Sequence, residues 1–243
     1  SSAIENIITT QDAVYRAMAT GGLADPAAKE VMEYREALWK GHRLLKAQGS
    51  IGLKAILTVQ ETIVHNDAGV RALPGTVLKS EPSGKVVYTP PVGRERIMLL
   101  LGNLEEYIGR DDGVDPLVKM AAIHYQFESI HPFYDGNGRT GRIVNILYLV
   151  QRGLLDLPVL YLSREIIERK TDYYRLLQEV RTKDSWEEWI LFVLGAVERS
   201  SGHTLRLISS IKELLEKTIE TCRSRLPRTT YSKELIERLF VQP

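Results

Sequence analysis

Cysteine is almost absent from this sequence, since Cys222 is the only one in 243 residues. A single thiol excludes an intramolecular disulfide and any zinc site built from several cysteines. No apolar run approaches the roughly 20 residues that span a bilayer, and the N-terminus lacks the basic and then apolar pattern of a signal peptide. These features predict a cytoplasmic protein that has no contact with a membrane.

An excess of charge of one sign is also missing. The chain has 32 Lys and Arg against 31 Asp and Glu, a formal net charge of +1, and the basic residues are scattered. Composition therefore gives no indication of a nucleic-acid surface. The apolar fraction of 44% is ordinary for a globular protein with a sizeable core. The chain opens with SSAIEN, without Met, and stops at FVQP, so we expect a fragment of a longer protein.

Few strands are expected, because apolar residues recur at helical spacing over most of the chain. The period predicts helices over residues 25–47, 53–66, 94–109, 116–130, 139–151, 164–183, 186–199 and 203–223, and a short one in TTYSKELIERLF. Only residues 76–79 and 86–89 are typical of strands; they flank a Pro-Ser-Gly turn, and Pro90 and Pro91 close the hairpin. The expected fold class is all-α with one small β-hairpin.

The stretch HPFYDGNGRTGR, residues 131–142, concentrates polar and conformationally special residues. Pro132 cannot continue the preceding helix, and DGNG is a run of turn formers that tolerate positive φ. A second helix follows the turn at once. The amides of such a loop and of the first helical turn point outward at the positive end of the helix dipole, a geometry that favours a bound anion.

The charged residues of this stretch sharpen the interpretation. Arg139 and Arg142 lie three apart in the first helical turn, where the dipole opposes a cation by roughly 0.3 to 1 kcal/mol each. A bound polyphosphate would make the two arginines favourable there, because guanidinium groups pair with phosphate oxygens. Asp135 beside a polyphosphate is typical of a carboxylate that holds Mg²⁺, and His131 can accept a proton near neutral pH. Each feature alone has an ordinary explanation as a turn, a helix cap or a surface ion pair.

The same residues carry a family resemblance. The stretch matches, at every signature position, the H-P-F-x-D-G-N-G-R-x-x-R motif of Fic-domain proteins, most of which transfer AMP from ATP to a hydroxyl on a protein. The neighbouring segments FESIHPF, GLLDLPVLYLS, DYYRLLQEVR and VVYTPP are also similar to this family, and the resemblance covers most of residues 1 to 200. It implies a mainly helical Fic fold with a β-hairpin flap over the active site.

The resemblance implies a role for each motif position. His131 would be the general base, and Asp135 would hold Mg²⁺ between the α- and β-phosphates of ATP. The residues that would bind the phosphates are Gly136, Asn137, Gly138, Arg139 and Arg142. Outside the motif, Tyr173 and Tyr174 would lie at the adenine pocket, although adjacent helix positions face different ways and only one is expected to touch the base.

Two further segments carry implied roles. Val87 and Tyr88 would form the flap edge that pairs with an extended target; alternatively, Tyr88 only packs the hairpin onto the body. Ser1, Glu5 and Asn6 fit the inhibitory pattern of the family, in which Glu5 would pair with Arg142 and block the γ-phosphate position. The alternative is a capping box that starts one residue later and has no function beyond helix stability.

The resemblance implies an inhibitory helix region at 1–20, a catalytic domain at 21–200, a C-terminal helix at 201–226 and, at 227–243, a segment that resembles the start of a winged-helix module. The predicted activity is that of a protein adenylyltransferase (AMPylase) that uses ATP and Mg²⁺ on a target protein or on itself. Removal of AMP, another nucleotide donor, and a regulator whose DNA-binding module is missing remain alternatives. The 203–223 helix either packs on the body or forms a homodimer, and His124 is expected to be a core histidine.

Overall fold

The computed structural model describes residues 26–80, 84–227 and 229–241. This part of the chain contains nine helices and one pair of antiparallel strands, which confirms the expected fold class. The elements, numbered in chain order, are α1 Pro26–Gln48, α2 Leu53–Val64, β1 Leu78–Lys79, β2 Val86–Tyr88, α3 Arg94–Gly109, α4 Pro116–Ile130, α5 Asn137–Gln151, α6 Leu162–Glu168, α7 Lys170–Lys183, α8 Trp186–Arg225 and α9 Lys233–Val241.

Helix α5 lies at the centre of the fold, and nearly all of its residues are buried. Its closest neighbours are α1, α2 and α4. A Cβ added at Gly41 of α1 would lie 2.7 Å from Leu147 Cδ1 of α5 and 2.9 Å from Val59 Cγ2 of α2. Only glycine therefore allows these three helices to approach so closely. Trp189 of α8 is fully buried, and its Nε1 donates to the Ala121 carbonyl of α4 at 2.9 Å.

Helix α4 begins and ends where its sequence predicts. The Asp115 side chain caps it by accepting the N–H groups of Leu117 and Val118, and Pro116 occupies the first turn. The helix ends at His131, which adopts a left-handed conformation with φ 47° and ψ 60°. The end of α4 therefore places His131 at the start of the polar loop.

Two predictions of where helices break are wrong. The single helix expected over 164–183 is two helices, because Arg169, with φ −124° and ψ 37°, separates α6 from α7. The break expected between 199 and 203 does not exist, since α8 runs for 40 residues. Gly202 weakens a helix by only about 1 kcal/mol relative to Ala. Ser200 is buried and its hydroxyl donates to the Tyr161 carbonyl, so packing carries the helix through this point.

The hairpin is shorter than the sequence predicts. Leu78 pairs with Tyr88 and Lys79 pairs with Val86, with an irregularity between the two pairs. Beyond the ladder, the Ser80 N–H donates to the Lys85 carbonyl at 2.9 Å. The hairpin therefore has few backbone bonds of its own and depends on contacts with the body. At the other end of the chain, α9 contacts α8, and Ile236 of α9 is buried. Within the described ranges, no helix has the length and apolar character needed to cross a membrane.

Candidate active site

A cleft of about 680 Å³ opens between the hairpin, the end of α4, the loop that follows it, and α7. It gathers most of the residues that the sequence singles out from three separate parts of the chain. Those that line it are Val87, His131, Asp135, Gly136, Asn137, Gly138, Arg139, Arg142, Tyr173 and Tyr174. Tyr88 is not among the lining residues.

His131 is held in the cleft as a neutral imidazole. Burial lowers its pKa to about 4, and the positive charges of Arg71 and Arg181 act in the same direction, while the Glu128 carbonyl opposes them. Its Nδ1 is buried and makes no well-formed hydrogen bond with any residue that the structure describes. At pH 7 the ring is therefore unprotonated and able to accept a proton.

The loop after His131 is fixed by its own side chains. The Asn137 Oδ1 accepts the Phe133 N–H at 2.9 Å, and its Nδ2 donates to the Phe133 carbonyl at 2.8 Å. Gly136 has φ 82°, and a Cβ there would lie 2.9 Å from Val64 Cγ1, so only glycine suits the position. Both polar groups of Asn137 thus serve the loop, and the phosphate contact predicted for this side chain stays a prediction.

Helix α5 starts at the floor of the cleft. The first amides of a helix have no carbonyl one turn back, and Gly136, Asn137 and Gly138 all line the cleft. The helix begins two residues earlier than the sequence predicts. The loop and the helix start have the geometry that favours a bound anion, and they are called the anion cradle below.

Arg139 and Asp135 pair with each other in this structure. The Arg139 Nη2 lies 3.2 and 3.3 Å from the two Asp135 carboxylate oxygens, and its Nη1 pairs with Glu30 of α1. The Asp135 Oδ1 also accepts the Gly136 N–H at 2.6 Å. A nucleotide that binds Arg139 must therefore compete with two carboxylates, one of which is the proposed metal ligand.

Arg142 places a second positive charge deeper in the site. Its side chain is 1% exposed but lines the cleft one turn after the loop. Next to it, a Cβ on Gly141 would lie 2.7 Å from Glu128 Oε1 and 2.9 Å from Phe127 Cδ1, so α4 and α5 are in close contact here. The predicted inhibitory residues Ser1, Glu5 and Asn6 lie outside the described residues.

Comparison with known proteins agrees with this geometry. Residues 50–149 match the Fic/DOC family, and residues 1–43 match the N-terminal region of the same family. The chain contains a Fic/DOC family domain. The matched segment includes the hairpin, His131, the loop and both arginines, so the membership predicted from the motif is confirmed.

Named relatives of this Fic domain are adenylyltransferases. Protein adenylyltransferase fic-1 of Caenorhabditis elegans is 25% identical over 236 residues, which are 91% of this chain and 43% of the relative. A probable protein adenylyltransferase of Aquifex aeolicus (strain VF5) is 39% identical over 161 residues, 57% of this chain and 48% of the relative. The crystal structure of a Fic family protein from Desulfovibrio desulfuricans G20 superposes with a TM-score of 0.68 at 26% identity, over 86% of this chain and 62% of that one. The chain spans less than half the length of either named enzyme.

The two tyrosines of α7 have different environments in this Fic domain. Tyr173 is 3% exposed; its hydroxyl lies 2.9 Å from His124 Nε2, and its ring packs against Trp189. Tyr174 is 49% exposed and stacks edge-on against the Tyr173 ring at 5.1 Å. Of the two tyrosines, Tyr174 therefore has the more exposed ring. His124 is buried with its pKa lowered to about 3, as expected of a core histidine.

Tyr88 docks the hairpin on the body of the Fic domain. Its hydroxyl donates to the Ser129 carbonyl at 2.9 Å, and the Arg181 guanidinium lies 3.7 Å from the centre of its ring. This is the alternative that the sequence left open for Tyr88. Val87 lines the cleft, as do four consecutive residues of the other strand segment, 77–80. The side of the hairpin that faces the cleft is therefore mainly β1, a feature that the sequence interpretation missed.

Sequence reasoning also missed several residues of the site that lie outside the signature positions. Tyr134 occupies the variable motif position, and its hydroxyl accepts the N–H groups of Ala72 and Leu73 at 3.1 Å each. Arg71 lies just before the hairpin and binds the backbone around His131. Local periodicity carries no signal for such contacts, because the partners are about 60 residues apart.

A metal site made of protein ligands alone is not formed by the described residues, which contain no group of three His, Cys, Asp or Glu placed to hold an ion. Asp135 is a single carboxylate, 72% exposed, at the mouth of the anion cradle. Mg²⁺ is usually bound by one or two carboxylates together with substrate phosphates. The residues present therefore fit a Mg²⁺ that arrives with a nucleotide.

Proposed function

We propose that this chain is a protein adenylyltransferase, which transfers AMP from ATP to a Tyr, Ser or Thr hydroxyl of a target protein or of itself and releases pyrophosphate. The observation that carries the proposal is a neutral imidazole, His131, in one cleft with an anion cradle and two arginines. The adenylyltransferases named among the relatives support it.

The phosphates of ATP would bind at the start of α5. The amides of Asn137 and Gly138, in the first turn of the helix, supply uncharged donors, while Arg139 and Arg142 supply charge and a planar fork that matches phosphate oxygens. Binding would release Arg139 from Asp135, since both ends of that ion pair are needed by the ligand. The exposed ring of Tyr174 is available to stack on adenine.

His131 would take the proton of the attacking hydroxyl. As this oxygen bonds to the α-phosphorus, the bond to the β-phosphate oxygen breaks and pyrophosphate leaves. A positioned base contributes about 10² to 10⁴ in rate. The negative charge of a bound nucleotide raises the pKa of a nearby imidazole. In this structure the pKa of His131 is about 4. A bound nucleotide would raise that pKa and make His131 a stronger base.

Asp135 is the residue that would hold Mg²⁺ against the phosphates. Bound Mg²⁺ supplies charge neutralisation at the phosphate oxygens. The Gly136 N–H already fixes one Asp135 oxygen at 2.6 Å. The carboxylate is therefore oriented on the loop before any ligand arrives.

The target would bind as an extended segment along the hairpin. Residues 77–80 and Val87 line the cleft on the side of the hairpin, and main-chain pairing there would place a target side chain near His131. Glu5 would regulate the reaction by pairing with Arg142. Because Arg142 is deeply buried in the cleft, a carboxylate bound to it would cancel a charge that the γ-phosphate needs.

Intact mass spectrometry tests the proposal. The unchanged chain, Glu5→Gly, His131→Ala and the double variant Glu5→Gly/His131→Ala are incubated with Mg²⁺ and ATP, with and without cell lysate as a source of targets. We expect AMP-sized increments to accumulate faster on Glu5→Gly than on the unchanged chain, and none on either His131 variant. Glu5→Gly/His203→Ala is the control, because His203 lies on α8 outside the cleft.

The other outcomes separate the alternatives. Increments from a different nucleotide, but not from ATP, would retain the phosphate cradle and reject ATP as the donor. Loss of AMP from a previously modified protein, with no gain on any form, would indicate the reverse reaction. No change with any nucleotide would reject transferase function.

A further inference from the structure

Arg71 makes an unusual set of contacts next to the candidate base. Its side chain is 1% exposed, its Nε donates to the His131 carbonyl at 2.7 Å, and its Nη2 donates to the Ile130 carbonyl at 3.1 Å. Its own backbone N–H donates to the Pro132 carbonyl at 2.9 Å. One residue therefore binds three consecutive carbonyls centred on His131.

The charge of Arg71 is compensated by the end of a helix. A guanidinium removed from water is costly unless it is fully hydrogen-bonded and meets opposing charge. The last carbonyls of a helix carry partial negative charge, and Ile130 is the final residue of α4. A buried cation is thus stabilised at the point where the chain turns into the catalytic loop.

The backbone of His131 needs such support. Its φ of 47° and ψ of 60° lie in the left-handed region, which costs a non-glycine residue on the order of 1–3 kcal/mol. That conformation persists only where the surroundings determine it. The bonds from Arg71 to the carbonyls before, at and after His131 supply this determination.

The same residue connects His131 to the hairpin. The Arg71 Nη2 also donates to the carbonyl of Pro91, which follows β2, at 2.6 Å. The Tyr88 hydroxyl, in β2, binds the Ser129 carbonyl. The carbonyls of residues 129–132 are thus all bound by residues that flank or belong to the hairpin. The hairpin and the backbone of His131 form one hydrogen-bonded unit.

We propose that Arg71 is a positioning residue that holds His131 in its left-handed conformation and couples it to the docked hairpin. The catalytic part of this statement rests on the proposed function, in which His131 is the base. Arg71 also acts through its charge, since it helps to lower the pKa of His131 after burial has had the larger effect. Arg181 of α7 contributes in the same direction. The other charged side chains that line the same cleft are Lys79, Glu128, Asp135, Arg139, Arg142, Lys170 and Arg175.

Two substitutions separate the hydrogen bonds from the charge. Arg71→Lys keeps the positive charge but loses the planar group that donates to the carbonyls of Ile130, His131 and Pro91. Arg71→Met loses both the charge and these hydrogen bonds. Lys119→Met is the matched control, because Lys119 is a fully buried cation of α4 that binds the Arg110 carbonyl and Asp112, at the other end of the helix. All three are made in the Glu5→Gly chain, and thermal unfolding verifies that each is folded at the assay temperature.

The readouts are the AMP transfer rate, the ATP dissociation constant, and nuclear magnetic resonance of labelled histidine, with His131→Ala used to assign the His131 signals. The ¹³Cα and ¹³Cβ shifts of His131 report its backbone conformation, and its ring signals report its titration. We expect both Arg71 variants to lose transfer rate by on the order of tenfold to a hundredfold, with ATP affinity unchanged. The backbone shifts should leave their left-handed values in both variants, and the titration midpoint should rise more in Arg71→Met than in Arg71→Lys.

The control decides between positioning and general destabilisation. Lys119→Met should lower the unfolding temperature without moving the His131 signals. The proposal is overturned if the Arg71 variants behave like Lys119→Met, with unchanged backbone shifts and an unchanged midpoint. If the Glu5→Gly chain transfers no nucleotide at all, the proposed function fails, and the His131 shifts alone still decide whether Arg71 positions this residue.

Discussion

The cleft has one wall formed by residues 131–142, here called the fixed wall, in which Asn137, Arg139 and Arg142 are buried and the edge at Tyr134 and Asp135 is exposed. The hairpin and α7 form what is here called the facing wall, in which Val87 and Tyr174 are exposed. The first wall is held by buried hydrogen bonds to backbone groups, such as those of Asn137 with Phe133. On the second wall, Arg175 forms solvent-exposed pairs with Asp172 and Glu179. The fixed wall suits the phosphates, whose geometry is constant, and the exposed wall suits adenine and a target, whose contacts can vary.

Loss of His131 should give the largest effect. It should lower the transfer rate without changing ATP affinity, whereas loss of Tyr174 in the facing wall should mainly weaken ATP binding. His131→Asn is expected to lower the transfer rate by about 10² to 10⁴ and to leave ATP affinity unchanged, because it removes the base and no phosphate contact. Tyr174→Ala should do the opposite, with a weaker ATP complex and a smaller loss of rate, since it removes about 1–3 kcal/mol of stacking. Steady-state rates and calorimetric ATP titrations test both. A His131→Asn chain that loses ATP affinity would contradict the division between the walls.

Acid should lower the free energy of unfolding through two buried histidines, His131 in the fixed wall and His124 in α4. His124 and His131 have folded pKa values of about 3 and about 4, below the ordinary value of 6.5, so between these limits the unfolded chain binds more protons. The contribution of these two histidines to the free energy of unfolding is therefore greatest above pH 6.5, falls as the pH decreases, and levels off once the folded state is also protonated. Each histidine contributes a slope of up to about 1.4 kcal/mol per pH unit.

Urea unfolding at several pH values measures this slope. His131→Asn should show a shallower decrease between pH 6.5 and 4 than the unchanged chain. His203→Asn, which removes a histidine of α8 away from the cleft, serves as the control. Equal slopes in the unchanged chain and in His131→Asn would contradict the expectation.

Gly136→Ala should damage the fixed wall through its backbone. At φ 82° a left-handed residue with a Cβ costs about 1–2 kcal/mol, and the added carbon would meet Val64 Cγ1 at 2.9 Å. Gly153→Ala is the matched control, because its φ is 70° and no atom lies within 4 Å of its added Cβ. Thermal unfolding should show the larger loss for Gly136→Ala, and only this variant should weaken ATP binding. Equal losses would mean that the close contact with α2 has no effect.

Tyr88→Phe should give the smallest effect, on the facing wall. It removes the hydrogen bond to the Ser129 carbonyl, a contribution of about 0.5–1.5 kcal/mol, and leaves the ring against Arg181. We expect a higher KM for a target peptide and an unchanged ATP affinity. Val86→Ala is the control, since Val86 is exposed on the same strand and does not line the cleft. An equal change in both variants would remove the assigned role of the Tyr88 hydroxyl.

Much of the fixed wall was predictable because its signals are local. Turn formers, a helix start and arginines at helical spacing lie within residues 131–142, and they predict a helix, a loop and a helix that the structure contains. The helix predicted over residues 116–130 is confirmed for the same reason. The helix boundaries at Arg169 and around Ser200 were wrong, because packing rather than local propensity decides them.

The sequence by itself determined the helical class, the loop and the identity of the residues that the family motif carries. Only the tertiary structure decided that Arg139 pairs with Glu30 of α1, that Tyr174 is exposed while Tyr173 is buried, and that Arg71 binds the carbonyls around His131. The physical reason is the range of the contacts. Backbone conformation follows from neighbours along the chain, whereas the environment of a buried charge depends on groups that are distant in sequence and meet only when the helices pack.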